Sequence, residues 1–146
     1  MDAKNYIIKQ ISIFSENRPG RLALVAQAMG EEKINILAFS IAEANGFGVI
    51  RALVDHPDKA YEKLSKLGYN VAFTEVIAVQ MIDQPGGLFK IAKVLGDAGI
   101  NIEYSYAYSG KKAAVLILRV DHVEEAIEKI SKSGATLLER SVFHEI

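Results

Sequence analysis

Cysteine is absent from this 146-residue chain, which removes disulfides, thiolate nucleophiles and sulfur-ligated metals together. An excess of charge of either sign is absent too: 17 basic residues stand against 18 acidic ones, a formal net charge of -1. That balance gives no electrostatic case for nucleic acid or an anionic membrane as partner. No apolar run approaches the length of a membrane span, and Met1 to Lys9 lacks the layout of a signal peptide, so the cytoplasm is the expected location. Glycine-rich phosphate loops, nucleophile elbows and paired acid–base motifs are missing as well. The chain is therefore expected to be no enzyme and to use no cofactor and no metal. What is present is half apolar and 24% charged, the balance of an ordinary soluble globular protein.

The informative positive feature is a repeat. Pro19-Gly20 returns as Pro85-Gly86, 66 positions later. At the same offset Leu22 meets Leu88, Ala26 meets Ala92, and Ile34-Asn35-Ile36 meets Ile100-Asn101-Ile102. Asp55-His56, Glu62-Lys63, Ser65-Lys66 and Gly68 find Asp121-His122, Glu128-Lys129, Ser131-Lys132 and Gly134 without a gap. Duplication of one unit explains this, with domains at 1–74 and 75–146. Units of about 70 residues lie near the lower limit for an independent core, so they are expected to lean on each other or on a second chain.

Each unit reads as strand, helix, strand, strand, helix, strand. Tyr6 to Phe14 is rich in isoleucine and runs into the polar group Ser15 to Arg18, a strand followed by a loop. Leu22, Val25, Ala26 and Met29 then recur at helical spacing, as do Leu88, Ile91, Ala92 and Leu95. Ile34 to Glu43 and Phe47 to Val54 read as strands joined at Asn45-Gly46, a hairpin signal, with Ser109-Gly110 in the equivalent place. Asp121 with Glu124 gives a capping pattern, Asp55 followed by Pro57 opens the matching helix, and Gly68 and Gly134 end the two. This order predicts an α+β fold, two tandem ferredoxin-like βαββαβ domains, each an antiparallel sheet with helices on one face.

The period leaves no linker. Residues 69 to 77 match the closing strand expected at 135 to 143, while 75 to 80 match the opening strand at 9 to 14, so one strand must flow into the next. The third strands, Val49 to Val54 and Ala113 to Val120, are apolar at both parities, although helices cover only one face. The second face needs a cover, from sheet packing within the chain or across a dimer.

Asn17-Arg18-Pro19-Gly20 before an amphipathic helix, followed by Ile34-Asn35-Ile36 opening a strand, resembles the ACT domain, the amino-acid-sensing module of metabolic regulation. Glu16 to Gly20 is similar to the corresponding loop in the regulatory domain of phosphoglycerate dehydrogenase. The resemblance implies a non-catalytic regulatory protein, a homodimer, that binds a free amino acid at an ACT–ACT interface. The alternative is a regulatory subunit of an amino-acid biosynthetic enzyme such as acetolactate synthase, with a catalytic chain as partner. The implied ligand contacts are Asn17, Arg18, Pro19, Gly20, Arg21, Leu22, Asn35 and Ile36 in the first unit. In the second they are Asp83, Gln84, Pro85, Gly86, Gly87, Leu88, Asn101 and Ile102. A helix N-terminus suits a carboxylate, and glycine lets the backbone approach it. The amides of Asn35 and Asn101 could take the amino group from a neighbouring domain.

Each of these residues has a second reading. Proline-glycine before a helix is also a turn signal, and an asparagine entering a strand also closes turns. The two loops differ: Asn17-Arg18 becomes Asp83-Gln84, Arg21 becomes Gly87, and Ser15, where the dehydrogenase-like loop has a histidine, becomes Met81. The first site is the stronger candidate. Asp55-His56 and Asp121-His122 are helix starts before they are metal pairs. Tyr104, Tyr106 and Tyr108 share one face near Lys111 and Lys112, which would suit stacked RNA bases. Their counterparts Ala38, Ser40 and Ala42 favour packing instead, and His144 reads as a surface residue.

Overall fold

The computed structural model describes residues 2–109 and 113–144. The regular elements are β1 (Ile8–Glu16), α1 (Arg21–Glu31), β2 (Ile36–Ala44), β3 (Phe47–Val54), α2 (Pro57–Lys66), β4 (Asn70–Met81), α3 (Gly87–Asp97), β5 (Ile102–Ser109), β6 (Ala114–Val120) and α4 (Val123–Lys132). They form two compact units. One holds Lys9–Thr74 together with Phe143 and His144, and the other holds the described residues of 2–8 and 75–142. β4 runs from Asn70 to Met81 without a break, so a single strand leaves the first unit and opens the second, as the period requires.

In the first unit the strand order is β2-β3-β1, antiparallel throughout, with Ile13 opposite Ile50 and Ile41 opposite Ile50 on the other side. Thr74 of β4 lies beside β1, its hydroxyl 3.2 Å from that of Ser12. The residues Ile11, Ile13, Ile50, Ala52 and Val54 point to one face and pack under Val25 and Met29 of α1 and Ala60 and Leu64 of α2. The second unit repeats this with order β4-β6-β5: Ile77, Val79, Leu116 and Leu118 lie under Ile91, Leu95, Ile127 and Ile130. Each fully buried aliphatic side chain contributes about 1.5–3 kcal/mol of transfer free energy, so these two helix-covered faces are the main source of cohesion. The fold is the tandem ferredoxin-like α+β arrangement that the sequence predicts.

The apolar parity argument also holds. Leu53 on β3, and Val115 and Ile117 on β6, are buried although they alternate with the residues that face the helices. Tyr104, Tyr106 and Tyr108 stand opposite Arg119, Ile117 and Val115 on that same side, and burial raises the Tyr108 hydroxyl above its ordinary pKa.

The hairpin signal was sound: Asn45 and Gly46 both have positive φ, 54° and 82°, the pairing that a two-residue turn needs to follow strand twist. The equivalent Gly110, and Lys111 and Lys112, lie outside the described residues. Gly68 and Gly134 follow their helices at φ 90° and 85°, closing them as expected.

Several local expectations need correction. Tyr6 is not in a strand: Ala3–Tyr6 form a short 3-10 turn whose start is held by Asp2, and Ala3, Tyr6 and Ile7 pack on the second unit's core. The closing strand expected at 135 to 143 shrinks to a bridge between Val79 and Leu137, with Gln80 N–H donating to Thr136 O and Leu138 N–H to Ala78 O. The chain then turns into a 3-10 segment at Arg140–Val142. Ala26 and Leu88 are exposed rather than core, and Ala28 takes a core place. His144 is half-buried, its Nδ1–H donating to Val54 O at 3.1 Å.

Candidate functional site

The loop between β1 and α1 is held from both ends. Asn17 N–H donates to Gly46 O at 3.0 Å, fastening the loop to the β2–β3 turn, and Arg21 N–H donates to Arg18 O at 3.1 Å. Gly48 makes the approach possible, because a Cβ there would stand 3.3 Å from Asn17 Cβ and 3.4 Å from Ser15 O. Glycine inside a strand is the sequence signal of such close approach. It is a supporting residue that the reading of the loop alone did not find.

Gly20 is the N-cap of α1, with φ 90° and no side-chain cap. The first turn carries no acidic residue, and α1 begins Arg21-Leu22-Ala23. Leu24 N–H donates to Gly20 O at 3.1 Å, whereas the N–H groups of Leu22 and Ala23 have no acceptor among the described residues. These are the orphan donors of a helix start, and the partial positive charge of the helix end adds to them. Arg18 pairs with Glu16, which draws its guanidinium back along the loop. Beside the donors is a cavity of about 150 Å³ lined by Asn17, Arg18, Gly20, Arg21, Ile41 and Gly48 among others. One water needs roughly 15 Å³ on that measure, so the space suits a molecule of several heavy atoms. Pro19 is exposed, and Leu22 is half-buried at the cavity wall.

The second loop has the same frame but a different shape. Gly86 caps α3 at φ 88° without a side-chain cap or an acidic first turn, and Leu88 and Phe89 N–H lack acceptors among the described residues. Gln84 N–H, however, donates to Ile82 O at 2.9 Å, and Gly87 N–H to Gln84 O at 3.0 Å. This curl brings Ile82 O to where a Cβ on residue 87 would be, 2.0 Å away. The exchange of Arg21 for Gly87 thus has a steric cause. Asp83, Gln84 and Pro85 are exposed.

The asparagines lie elsewhere. Asn35 N–H donates to Asp55 Oδ1 at 2.9 Å and Asp55 N–H returns to Asn35 O at 3.2 Å. Asn101 and Asp121 repeat the clamp at 3.0 and 3.2 Å. Each aspartate also meets the following histidine, His56 or His122, at 2.9 Å. The helix caps are consequently His56 and His122, without side-chain cap bonds, and the capping pattern read from Asp121 and Glu124 is not formed. The aspartates spend their oxygens on the strand entrance instead. Burial pushes the Asp55 carboxyl up, but the His56 and Asn35 hydrogen bonds outweigh it, leaving the carboxyl below its ordinary 3.8. The His122 bond does the same for Asp121 and raises His122 above 6.5. No cluster of ligating side chains that could hold a metal occurs among the described residues.

Asn35 and Ile36 sit at the Val54 end of β3, the loop at its Phe47 end. Seven steps of about 3.3 Å put them roughly 23 Å apart. A unit does not bring Asn35 to its own loop, and the same register separates Asn101 and Ile102 from residues 83–88, since Ile102 pairs with Val120 and Met81 with Ala114.

Known proteins share this architecture. A protein from Bacteroides thetaiotaomicron, BT0572, superposes with a TM-score of 0.90 at 34% identity, over 97% of this chain and 98% of that one. The regulatory subunit of aspartate kinase from Thermus thermophilus superposes with a TM-score of 0.65 at 17% identity, over 89% and 95%. In sequence, D-3-phosphoglycerate dehydrogenase from Methanocaldococcus jannaschii is 31% identical over 131 residues, covering 82% of this chain and 24% of the enzyme. The chain thus spans about a quarter of that enzyme's length. No helix among the described residues is long and apolar enough to cross a membrane. Residues 6–144 match the family described as the ACT domain pair, and the chain belongs to that family.

Proposed function

We propose that this chain is a non-catalytic regulatory protein that binds a free amino acid, its carboxylate on the Leu22 and Ala23 N–H groups beside Gly20. The observation that carries this reading is the uncapped, acid-free start of α1 next to a cavity of about 150 Å³. Arg21, which lines the same cavity, adds positive charge beside these donors. The second loop, with its Ile82 carbonyl folded against Gly87, is the weaker of the two.

The amino group is taken by Asn35 of a second copy. β2 is a terminal strand, and it exposes Phe39 and Ile41, 50% and 43% accessible. Antiparallel pairing of two β2 edges would bring Asn35 of one copy to the Ala44 end of the other, where the loop is. Such unprotected apolar edge strands are otherwise a liability. The counterparts on β5 are Ser105 and Ala107, so the first unit is the one built to pair. The chain is thereby a homodimer whose ligand stabilises the paired state through its differential affinity, and it works in the cytoplasm.

A second reading, a regulatory subunit docked on a biosynthetic enzyme such as acetolactate synthase, draws on the likeness to the aspartate kinase regulatory subunit, a likeness of fold. Co-purification with a catalytic chain from native extract separates it from the first reading. The direct test of ligand binding is a thermal-shift series with the twenty amino acids. A ligand at 100 times its Kd adds about 2.7 kcal/mol, so one or two should raise Tm by several degrees, and Gly20→Val should abolish the response. No responder at millimolar concentration would refute the sensor reading.

A further inference from the structure

The repeat allows side chains 66 positions apart to be compared within a shared frame of elements. Tyr69 packs on the core of the first unit; its counterpart is Ala135. That exchange removes bulk just after α4, and a groove of about 570 Å³ lies there between α3, the end of α4 and the turn at 133–136. Met81, Phe89, Ile91, Val94, Ile130 and Ala135 give it apolar walls. The volume falls within the roughly 300–1,000 Å³ of small-molecule sites.

Charge changes at the same place. Leu24 and Gln27 of α1 correspond to Lys90 and Lys93 of α3, and both lysines line the groove. Asp97 is the one carboxylate among the lining residues and is already paired with Lys93 at 3.1 Å. Lys90 has no ion-pair partner among the described residues. The groove therefore carries two lysines where α1 has Leu24 and Gln27, and only one of them is engaged by Asp97.

We propose that this groove binds a small monocarboxylate with an apolar tail, the tail against Phe89, Val94 and Ala135 and the carboxylate on Lys90. The groove offers a cation for the carboxylate but only neutral acceptors such as Gln80 and Ser133 for an α-ammonium group, and the proposal commits to a simple carboxylic acid. The proposal does not rest on amino-acid binding at the Gly20 loop.

Octanoate is the probe, titrated calorimetrically into the full chain with octanol and leucine as comparators. Octanoate should bind saturably at one site per chain, about threefold or more tighter than octanol, the margin expected of a partly exposed ion pair. Leucine should not compete for it. Ala135→Tyr restores the residue that the first unit carries and should weaken octanoate at least tenfold while circular dichroism stays unchanged. Lys90→Gln alters an exposed side chain and should erase the preference for octanoate over octanol, whatever the behaviour of the tyrosine variant. No octanoate binding at millimolar concentration, a folded Ala135→Tyr chain that binds as wild type does, or a Lys90→Gln chain that keeps the preference would each overturn the proposal.

Discussion

Alanine at position 87 and alanine at position 20 should both destabilise the protein, by different mechanisms and different amounts. A Cβ on Gly20 would meet nothing within 4 Å, so only the backbone conformation at φ 90° resists it. A left-handed conformation costs an L-residue about 1–2 kcal/mol. A Cβ on Gly87 would lie 2.0 Å from Ile82 O and 3.2 Å from Ile82 C, backbone atoms that cannot swing aside as a side-chain end does. The 82–84 turn must open by about an ångström, losing the 2.9 Å bond from Gln84 N–H to Ile82 O. Loss of that bond and the accompanying strain should total about 2–4 kcal/mol. For a chain of this size 1 kcal/mol shifts Tm by about 3 °C. Differential scanning calorimetry should then show Gly20→Ala down by about 3–6 °C and Gly87→Ala down by about 6–12 °C. A Gly87→Ala chain melting within about 2 °C of wild type would refute the steric account of the second loop.

Other perturbations follow from the same geometry. Leu64→Ala empties a fully buried core position and should cost about 3 kcal/mol in a urea titration with an unchanged m-value. Asp55→Ala removes the acceptor for Asn35 N–H and His56 from a side chain that is 17% exposed, and should cost about 1–2 kcal/mol; the more exposed Asp121 should cost less. Because the Asp55 carboxyl lies below its ordinary 3.8, its contribution is complete above that pH and is lost as pH falls through the lower folded value. His122, raised above 6.5, contributes below that pH and loses its contribution as pH rises through the folded value. A Tm–pH profile should therefore show the loss that begins just above pH 6.5 vanish in His122→Gln and the acid loss diminish in Asp55→Ala. If the β2 edges pair as proposed, wild type should sediment as a dimer and Phe39→Glu as a folded monomer at the same concentration.

The order of elements was legible in the sequence because period and punctuation coincide: glycines at 20, 46, 68, 86 and 134 all have positive φ, and each marks an end or a turn. The helix stripes were read less well. Leu88 matches Leu22 in sequence, yet it is 54% exposed, since the hydrophobic period does not say which flank of a helix faces the sheet. The second closing strand was inferred from symmetry, but only Leu137 makes a bridge; a repeat guarantees a shared frame, not shared pairing at its end. At the site, Pro19-Gly20 pointed to the uncapped start of α1. The separation of Asn35 from that loop was hidden, because it depends on register and not on residue type. The aspartate clamps read as caps in the sequence because Asp before a helix fits both roles, and only the strand entrance opposite decides between them.

The central claim is that an amino acid's carboxylate sits on the start of α1. Amide chemical shifts of uniformly nitrogen-15-labelled protein, followed while the amino acid that raises Tm is added, test it directly. Leu22 and Ala23 N–H should show the largest downfield changes, those of Leu88 and Phe89 much smaller ones, and Asn35 should respond in the dimer but not in a Phe39→Glu monomer. Saturable binding that leaves Leu22 and Ala23 unmoved would contradict the account.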